Sequence, residues 1–157
     1  MKNYEALRLE NQLCFPLYAA AKEVVRLYTP YLTELDLTYT QYIVMMLVWD
    51  TDEIAVKELT ERLYLDTGTL TPLLKKLEQK ELVSLTRAPN DRRSVVVKAT
   101  KSGMKLRDKA LDIPHKVGSC LPLNMDEIQA LHKTLYKILG GLQNEAKHRK
   151  DENNDNL

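Results

Sequence analysis

From Tyr64 to Thr100 the chain reads as a tight turn, an amphipathic helix and a basic β-hairpin in immediate succession, and few folds accommodate that order. After Asp66, whose short carboxylate can cap the free N–H groups of a helix start, Leu70, Leu73, Leu74 and Leu77 fall at the i, i+3, i+4, i+7 spacing of one buried stripe. At about 100° per residue, Thr67, Gly68, Thr71, Lys75 and Gln79 gather on the opposite side, with Thr69 and Lys76 at its margin. Such a face suits the major groove of DNA: threonine hydroxyls and methyls meet phosphates and base edges, Gly68 allows close backbone approach, and lysines neutralise phosphates. Taken singly, each of these residues is equally an ordinary solvated side chain, since exposed threonine and lysine are common.

The neighbouring segments decide between those readings. Upstream, Val56, Leu59 and Leu63 have helical spacing, and Tyr64-Leu65-Asp66 leaves room only for a turn between two helices. Downstream, Val83, Leu85 and Arg87 alternate with Leu82, Ser84 and Thr86, and Val95 to Val97 begins a β-branched run. Between them Ala88-Pro89-Asn90-Asp91 is turn chemistry, followed at once by Arg92 and Arg93. Two helices and a hairpin with arginines near its tip make a winged helix-turn-helix, in which those arginines can enter a narrow minor groove. From Lys75 to Lys98 the cations Lys75, Lys76, Lys80, Arg87, Arg92, Arg93 and Lys98 outnumber Glu78, Glu81 and Asp91, whereas the whole chain carries a formal charge of only +1.

The fold class expected is mainly α with a small β-hairpin wing (α+β). With 157 residues and 44% hydrophobic content the chain can bury one core and marks no second domain. A single domain over 1–146 is expected: the winged segment, about 37–100, lies between dimerisation helices of about 5–29 and 101–146. The charged, Asn-rich stretch 147–157 lacks periodicity and is expected to fray. Leu9, Leu13, Leu17, Ala20, Val24 and Leu27 form a stripe on a first helix, until Pro30 and Asp36 interrupt it. At the other end Asn124 is an N-cap with Glu127 three residues on, Leu123 and Ile128 sit at staple positions, and Leu131, Leu135, Ile138 and Leu142 continue the stripe. Stripes like these can pack on their own domain. They can also make a homodimer, whose two recognition helices, ~34–36 Å apart, would read a palindromic double-stranded operator. No apolar run reaches membrane-span length and Met1-Lys2-Asn3-Tyr4 does not open a signal peptide, so a cytoplasmic protein without a membrane partner is expected.

Other chemistry has little support. His115, His132 and His148 are scattered, and Cys-x-x-Cys, His-Glu-x-x-His and glycine-rich phosphate loops are all missing, so neither a metal nor another cofactor is expected. The two cysteines remain. Cys14 stands among Leu13, Phe15, Pro16, Leu17 and Tyr18, and composition alone reads it as a buried, inert thiol. Tyr39, just inside a helix that Thr38 and Gln41 can cap, and Tyr28, at the end of the first stripe, read equally well as packing residues.

Asp91-x-Arg93, Val95 to Lys98 and Ala99-Thr100-x-x-Gly103 together resemble the wing signature of the MarR family of winged-helix repressors. The resemblance implies that Arg93 is the minor-groove arginine and that Asp91 holds the wing arginine in position. Glu81 departs from it, because these proteins usually close the recognition helix with glycine; a differently shaped helix exit is therefore expected. The runs Leu9-Glu10-Asn11-Gln12-Leu13-Cys14-Phe15, Leu17-Tyr18, Leu37-Thr38-Tyr39-x-Gln41-Tyr42 and Leu65 to Leu73 resemble the OhrR (organic hydroperoxide resistance regulator) branch of that family.

That resemblance, from about Leu9 to Leu142, implies a redox-sensing repressor and not an enzyme. Cys14 would be the peroxidatic sensor, with Tyr28 and Tyr39 hydrogen-bonding its sulfur and Tyr18 nearby, and an organic hydroperoxide would be the signal. Phenolic O–H groups stabilise the thiolate that attacks an O–O bond. Cys120, between Gly118-Ser119 and Leu121-Pro122-Leu123, roughly matches the resolving cysteine of the two-cysteine group, implying an intersubunit disulfide; the alternative is a one-cysteine switch in which a small thiol traps oxidised Cys14. Two other functions stay open: a regulator released by a small phenolic ligand, and a thiol peroxidase. Pro16 departs from the branch, and in a helix interior it would kink the chain beside Cys14.

Overall fold

The computed structural model describes residues 4–88 and 91–154, the side chains of 91–93 and 146–154 excepted. The chain divides into two compact units, Met1–Cys120 and Leu121–Leu157.

The first unit opens with 3₁₀ turns at Glu5–Leu7 and Leu9–Asn11, and helix α1 then runs Cys14–Glu34. The stripe beginning at Leu9 therefore does not start a helix there. Pro16 is the third residue of α1, in the first turn, where backbone N–H groups have no intrahelical partner, so it costs no bond and the expected kink is replaced by a helix start. Pro30 does not end α1 either; the helix passes it and stops near Asp36, which adopts a left-handed φ of 52°. The Leu37 N–H donates to the Leu32 carbonyl (2.9 Å) and the Asp36 N–H to that of Thr33 (3.1 Å), a Schellman ending in which Leu32 and Leu37 are both buried.

Helix α2 (Tyr39–Trp49) is the central one. Thr38 and Gln41 close a reciprocal capping box at its start, and Tyr42, Val44, Met45, Val48 and Trp49 are buried along it. A two-residue strand β1 (Ile54–Ala55), too short to show alternation in the sequence, leads into α3 (Val56–Leu63). After a turn with Tyr64 at φ 56°, α4 occupies Thr67–Gln79. Its Leu70, Leu73, Leu74 and Leu77 are buried as the spacing predicts, and at about 1.5–3 kcal/mol each they fix its inner face.

Glu81 departs from glycine without changing the exit of α4. It takes φ 57°, while Leu82 N–H bonds the Leu77 carbonyl (3.0 Å) and Glu81 N–H that of Glu78 (2.8 Å). The left-handed C′ position is thus kept by a residue with a Cβ, at a cost of about 1–2 kcal/mol.

Strands β2 (Val83–Ala88) and β3 (Asp91–Ala99) pair antiparallel, and the sheet order is β1-β3-β2. The register runs from Val83 opposite Ala99 to Arg87 opposite Val95, then jumps to Ala88 opposite Asp91. Residues 92–94 are therefore extra on β3, a bulge at the wing's outer end. Thr100 caps α5 (Lys101–Ala110) through Gly103 N–H, and α6 (Ile113–Gly118) packs on α1. A Cβ on Gly103 would lie 2.1 Å from the Leu82 carbonyl oxygen, so only glycine lets α5 approach the exit of α4 so closely.

The second unit is dominated by α7, Met125–Asn154. Asn124 and Glu127 form the expected reciprocal cap, Glu127 N–H to Asn124 Oδ1 at 3.0 Å and Asn124 N–H to Glu127 Oε2 at 2.8 Å. The backbone stays helical past Lys147, where the sequence leads one to expect a frayed tail. Among the described residues no helix is long and apolar enough to cross a membrane.

Candidate functional site

Asp66 builds the start of α4. Its carboxylate accepts from Thr69 N–H (2.8 Å) and Thr69 Oγ1 (2.7 Å), and these two bonds hold its pKa below the ordinary 3.8. A Cβ at residue 68 would stand 3.0 Å from Asp66 Oδ1, so Gly68 leaves room for this cap. Thr71 Oγ1 donates to the Thr67 carbonyl (2.8 Å). The hydroxyl protons of Thr69 and Thr71 are thus committed within the helix. What they present outward is lone pairs and methyls, which suits amino groups of bases and thymine better than phosphate oxygens.

Thr67, Gly68, Thr69, Thr71, Lys75 and Lys76 are all exposed. Thr67, Thr71 and Lys75 line an open groove of about 650 Å³ together with Arg87 and Ser94 of the wing and Lys57 and Thr60 of α3. The structure thus joins recognition helix and wing into one concave surface carrying Lys57, Lys75 and Arg87. Lys57, Thr60 and Ser94 were not singled out by sequence; the signal available was their place off the Val56, Leu59, Leu63 stripe or at the bulge. Gly68, Thr69 and Lys76 lie outside the groove lining. Asp91, Arg92 and Arg93 have backbone in β3, but their side chains are outside the described residues.

The thiol site is built differently. Cys14 is the first residue of α1 and is exposed in the single chain, whereas composition alone suggests a buried thiol. Around it Leu13 (75% exposed), Phe15, Leu17 and Tyr18 (65%) are also open. Cys120 follows α6 in a turn, exposed, its Sγ 3.3 Å from the Lys116 carbonyl oxygen. Lys116 Nζ lies 5.7 Å from the ring centre of Tyr31, near the far end of α1 from Cys14.

Tyr28 and Tyr39 meet edge to face at 5.1 Å, and Tyr42 joins Tyr28 at 5.9 Å and Trp49 at 6.3 Å. Burial raises the pKa of Tyr28, Tyr39 and Tyr42, and proximity to Tyr39 adds to the rise at Tyr28, as proximity to Tyr28 and Tyr39 does at Tyr42. These phenols keep their protons and can donate them. Within one chain they do not reach Cys14: Tyr28 lies fourteen positions further along the same helix, about 21 Å of axis. No group of three or more His, Cys, Asp or Glu side chains that could hold a metal occurs among the described residues.

A family model for the transcriptional regulators SarA/Rot matches residues 26–110. The organic hydroperoxide resistance transcriptional regulator of Bacillus subtilis is 40% identical over 136 residues, 87% of this chain and 92% of its own. Among solved structures, reduced AbfR bound to DNA superposes with a TM-score of 0.75 at 28% identity, covering 89% of this chain and 96% of that one. Disulfide-formed AbfR gives 0.59 at 30% identity, over 89% and 95%. AbfR is a Staphylococcus epidermidis protein. Sequence, fold and groove lead to one assignment: the chain belongs to the MarR family of winged helix-turn-helix transcriptional regulators, in the branch of the organic hydroperoxide resistance regulators.

Proposed function

We propose that this protein is a thiol-switched repressor: a homodimer that holds a palindromic operator while Cys14 is reduced and releases it when an organic hydroperoxide oxidises that thiol. The observation that carries the reading is the open Cys14 thiol, set in an exposed apolar run, in a chain that also builds the α4 and wing groove. The apolar surroundings favour a greasy hydroperoxide over hydrogen peroxide. The exposed faces supply the dimer: Leu7, Leu9, Leu13 and Leu17 before and along α1, and Leu131, Tyr136 and Leu142 along α7, are open in the single chain.

In the first step the Cys14 thiolate attacks the distal peroxide oxygen; the O–O bond breaks, an alcohol leaves and Cys14 becomes a sulfenic acid. In the second, the Cys120 thiol of the partner displaces water to give a disulfide. Because Tyr28 lies about 21 Å along the helix from Cys14 of its own chain, and Tyr39 packs on Tyr28, the two phenols that steady the sulfur come from the partner as well, while Tyr18 stands one turn from Cys14 on the same helix. Pulling Cys14 and Cys120 together changes the spacing of the two α4 helices, and a rigid duplex no longer fits both. Structures of AbfR in a reduced, DNA-bound form and in a disulfide form support such a cycle by relationship.

The test is operator binding by wild type, Cys14→Ser and Cys120→Ser with and without cumene hydroperoxide, alongside non-reducing gels. Wild type should lose binding and run as a crosslinked dimer, and both responses should vanish in Cys14→Ser. Undiminished wild-type binding after treatment would refute redox control; loss of binding with no crosslink would leave Cys14 with a small thiol as resolving partner. A second reading, release by a small phenolic ligand, is favoured by a separate cleft of about 390 Å³ bordered by Tyr42, Trp49, Met46 and Arg107, and titration of the Cys14→Ser protein with salicylate would reveal it.

A further inference from the structure

Helix α1 ends without a basic residue in its last turn. Its last carbonyls carry the negative end of the helix dipole, and Asp36 adds a carboxylate there, an arrangement that calls for a cation. The cation comes from a residue 44 positions away. Lys80, the capping residue at the exit of α4, places Nζ 2.9 Å from Asp36 Oδ2 and also donates to the Asp36 carbonyl oxygen. The ammonium thus bridges backbone and side chain of one residue, and the left-handed turn at Asp36 presents both to it.

The two helices joined this way are not principal packing partners: α1 packs on α2 and α6, and α4 on α2, α3 and β2. The bridge also sits beside a second set of ties at the same place. Glu81, next to Lys80, gives its carbonyl to Thr100 Oγ1 (2.5 Å), and Leu82 gives its carbonyl to Thr100 N–H (3.1 Å). The exit of α4 is therefore held to the wing-to-α5 junction on one side and to the end of α1 on the other.

We propose that Lys80 is a positioning residue for DNA reading: by closing on Asp36 it fixes the orientation of α4 relative to α1, and so the presentation of Thr67, Thr71 and Lys75 to the duplex. This rests on the assignment of α4 as the DNA-reading helix.

The rival role for Lys80, a cation that merely neutralises phosphate, predicts the opposite sign in one variant. Asp36→Asn removes a negative charge and keeps a residue at ease with positive φ, so under the rival role DNA binding would hold or tighten. The positioning role predicts that it weakens. The probes are the duplex that wild type selects from a randomised pool, the same duplex with one base pair inserted between half-sites, and a scrambled duplex of equal length. Asp36→Asn and Lys80→Met should bind the selected duplex about two- to fivefold more weakly, the scale of an ion pair whose carboxylate is exposed. Lys80→Arg, which keeps the cation, should restore most of that loss. Asp36→Asn should also lose discrimination against the inserted base pair while its affinity for scrambled DNA is unchanged, a readout that a stability defect alone would not move. Equal or tighter binding of the selected duplex by Asp36→Asn, when wild type selects one, overturns the positioning role and leaves the DNA-reading assignment standing. A wild type that selects no duplex overturns the assignment and this inference with it.

Discussion

Replacing Gly103 by alanine should be among the most damaging single changes in the first unit, although it adds one carbon. The new Cβ would stand 2.1 Å from the Leu82 carbonyl oxygen, 3.1 Å from its carbon and 3.3 Å from Met45 Cε. The first of these is well inside ordinary contact distances of about 3.5 Å, and the obstacle is backbone rather than a side chain that can swing away. Relief requires α5 to retreat by about 1 Å or more. Two bonds depend on the present spacing: Thr100 N–H to the Leu82 carbonyl at 3.1 Å, and the buried Trp49 indole N–H to the Gly103 carbonyl at 2.8 Å. Leaving one buried donor without an acceptor costs about 1–3 kcal/mol, and the overpacking about 1–3 more. A total of about 2–6 kcal/mol is a large part of the ~5–15 kcal/mol that keeps a domain folded. For a chain of this size it corresponds to a melting temperature lower by roughly 5–20 °C. Circular dichroism melts at fixed protomer concentration measure this, and Trp49 emission reports the indole bond directly because the chain has one tryptophan. Gly141→Ala is the control: no atom lies within 4 Å of its added Cβ and it sits inside α7, so it should stabilise by about 0.5–1 kcal/mol. A Gly103→Ala protein that melts within about 2 °C of wild type with unchanged emission would refute the argument from close approach.

Three further outcomes follow from the same geometry. Glu81→Gly relieves a side chain at φ 57° and should raise stability by about 1 kcal/mol, the relief of the left-handed turn less the extra freedom of glycine in the unfolded chain, read as a melting temperature higher by about 2–4 °C. Asp66→Ala should destabilise α4 at neutral pH. Because the folded state holds the Asp66 carboxyl below its ordinary 3.8, the unfolded chain binds more protons in the window beneath that value; the cap's contribution is fully present well above it and is lost as pH falls through the folded pKa, so wild type and variant should converge progressively as melts are taken to pH values below 3.8. Lys75→Ala should weaken binding of specific and scrambled duplexes alike and lower the slope of log affinity against log salt by about one per protomer; a loss confined to the specific duplex would assign Lys75 to base reading instead.

What the sequence made legible was local. The Leu70, Leu73, Leu74, Leu77 stripe and the Thr38–Gln41 and Asn124–Glu127 boxes each depend on residues within two turns of one another, and each is found as expected. Nothing in the sequence marks the start of α1: Leu13 occupies the cap position with no side-chain bond, and apolar residues continue at helical spacing through the preceding 3₁₀ turns. Pro16 signals a kink only if the helix begins before it. Glu81 is opaque for a related reason, since residue identity sets the cost of a left-handed turn but buried Leu77 and Leu82 determine that the turn is made. Of the groove beside α4 the sequence pattern shows one wall, the outer face of that helix. The other wall, Lys57, Thr60 and Ser94, is a product of chain packing, as is the meeting of Lys80 with Asp36.

The apolar faces left open along α1 and α7 have a consequence for regulation that is separate from chemistry at sulfur. If dimer formation is what covers Leu13, Leu17, Leu131 and Leu142, then folding and assembly are one equilibrium, and the folded fraction depends on how many copies the cell contains. Operator occupancy then varies with roughly the square of protomer number at low abundance, so a modest fall in synthesis silences the repressor sharply, and dilution at division becomes a signal that the same molecule can read without any oxidant.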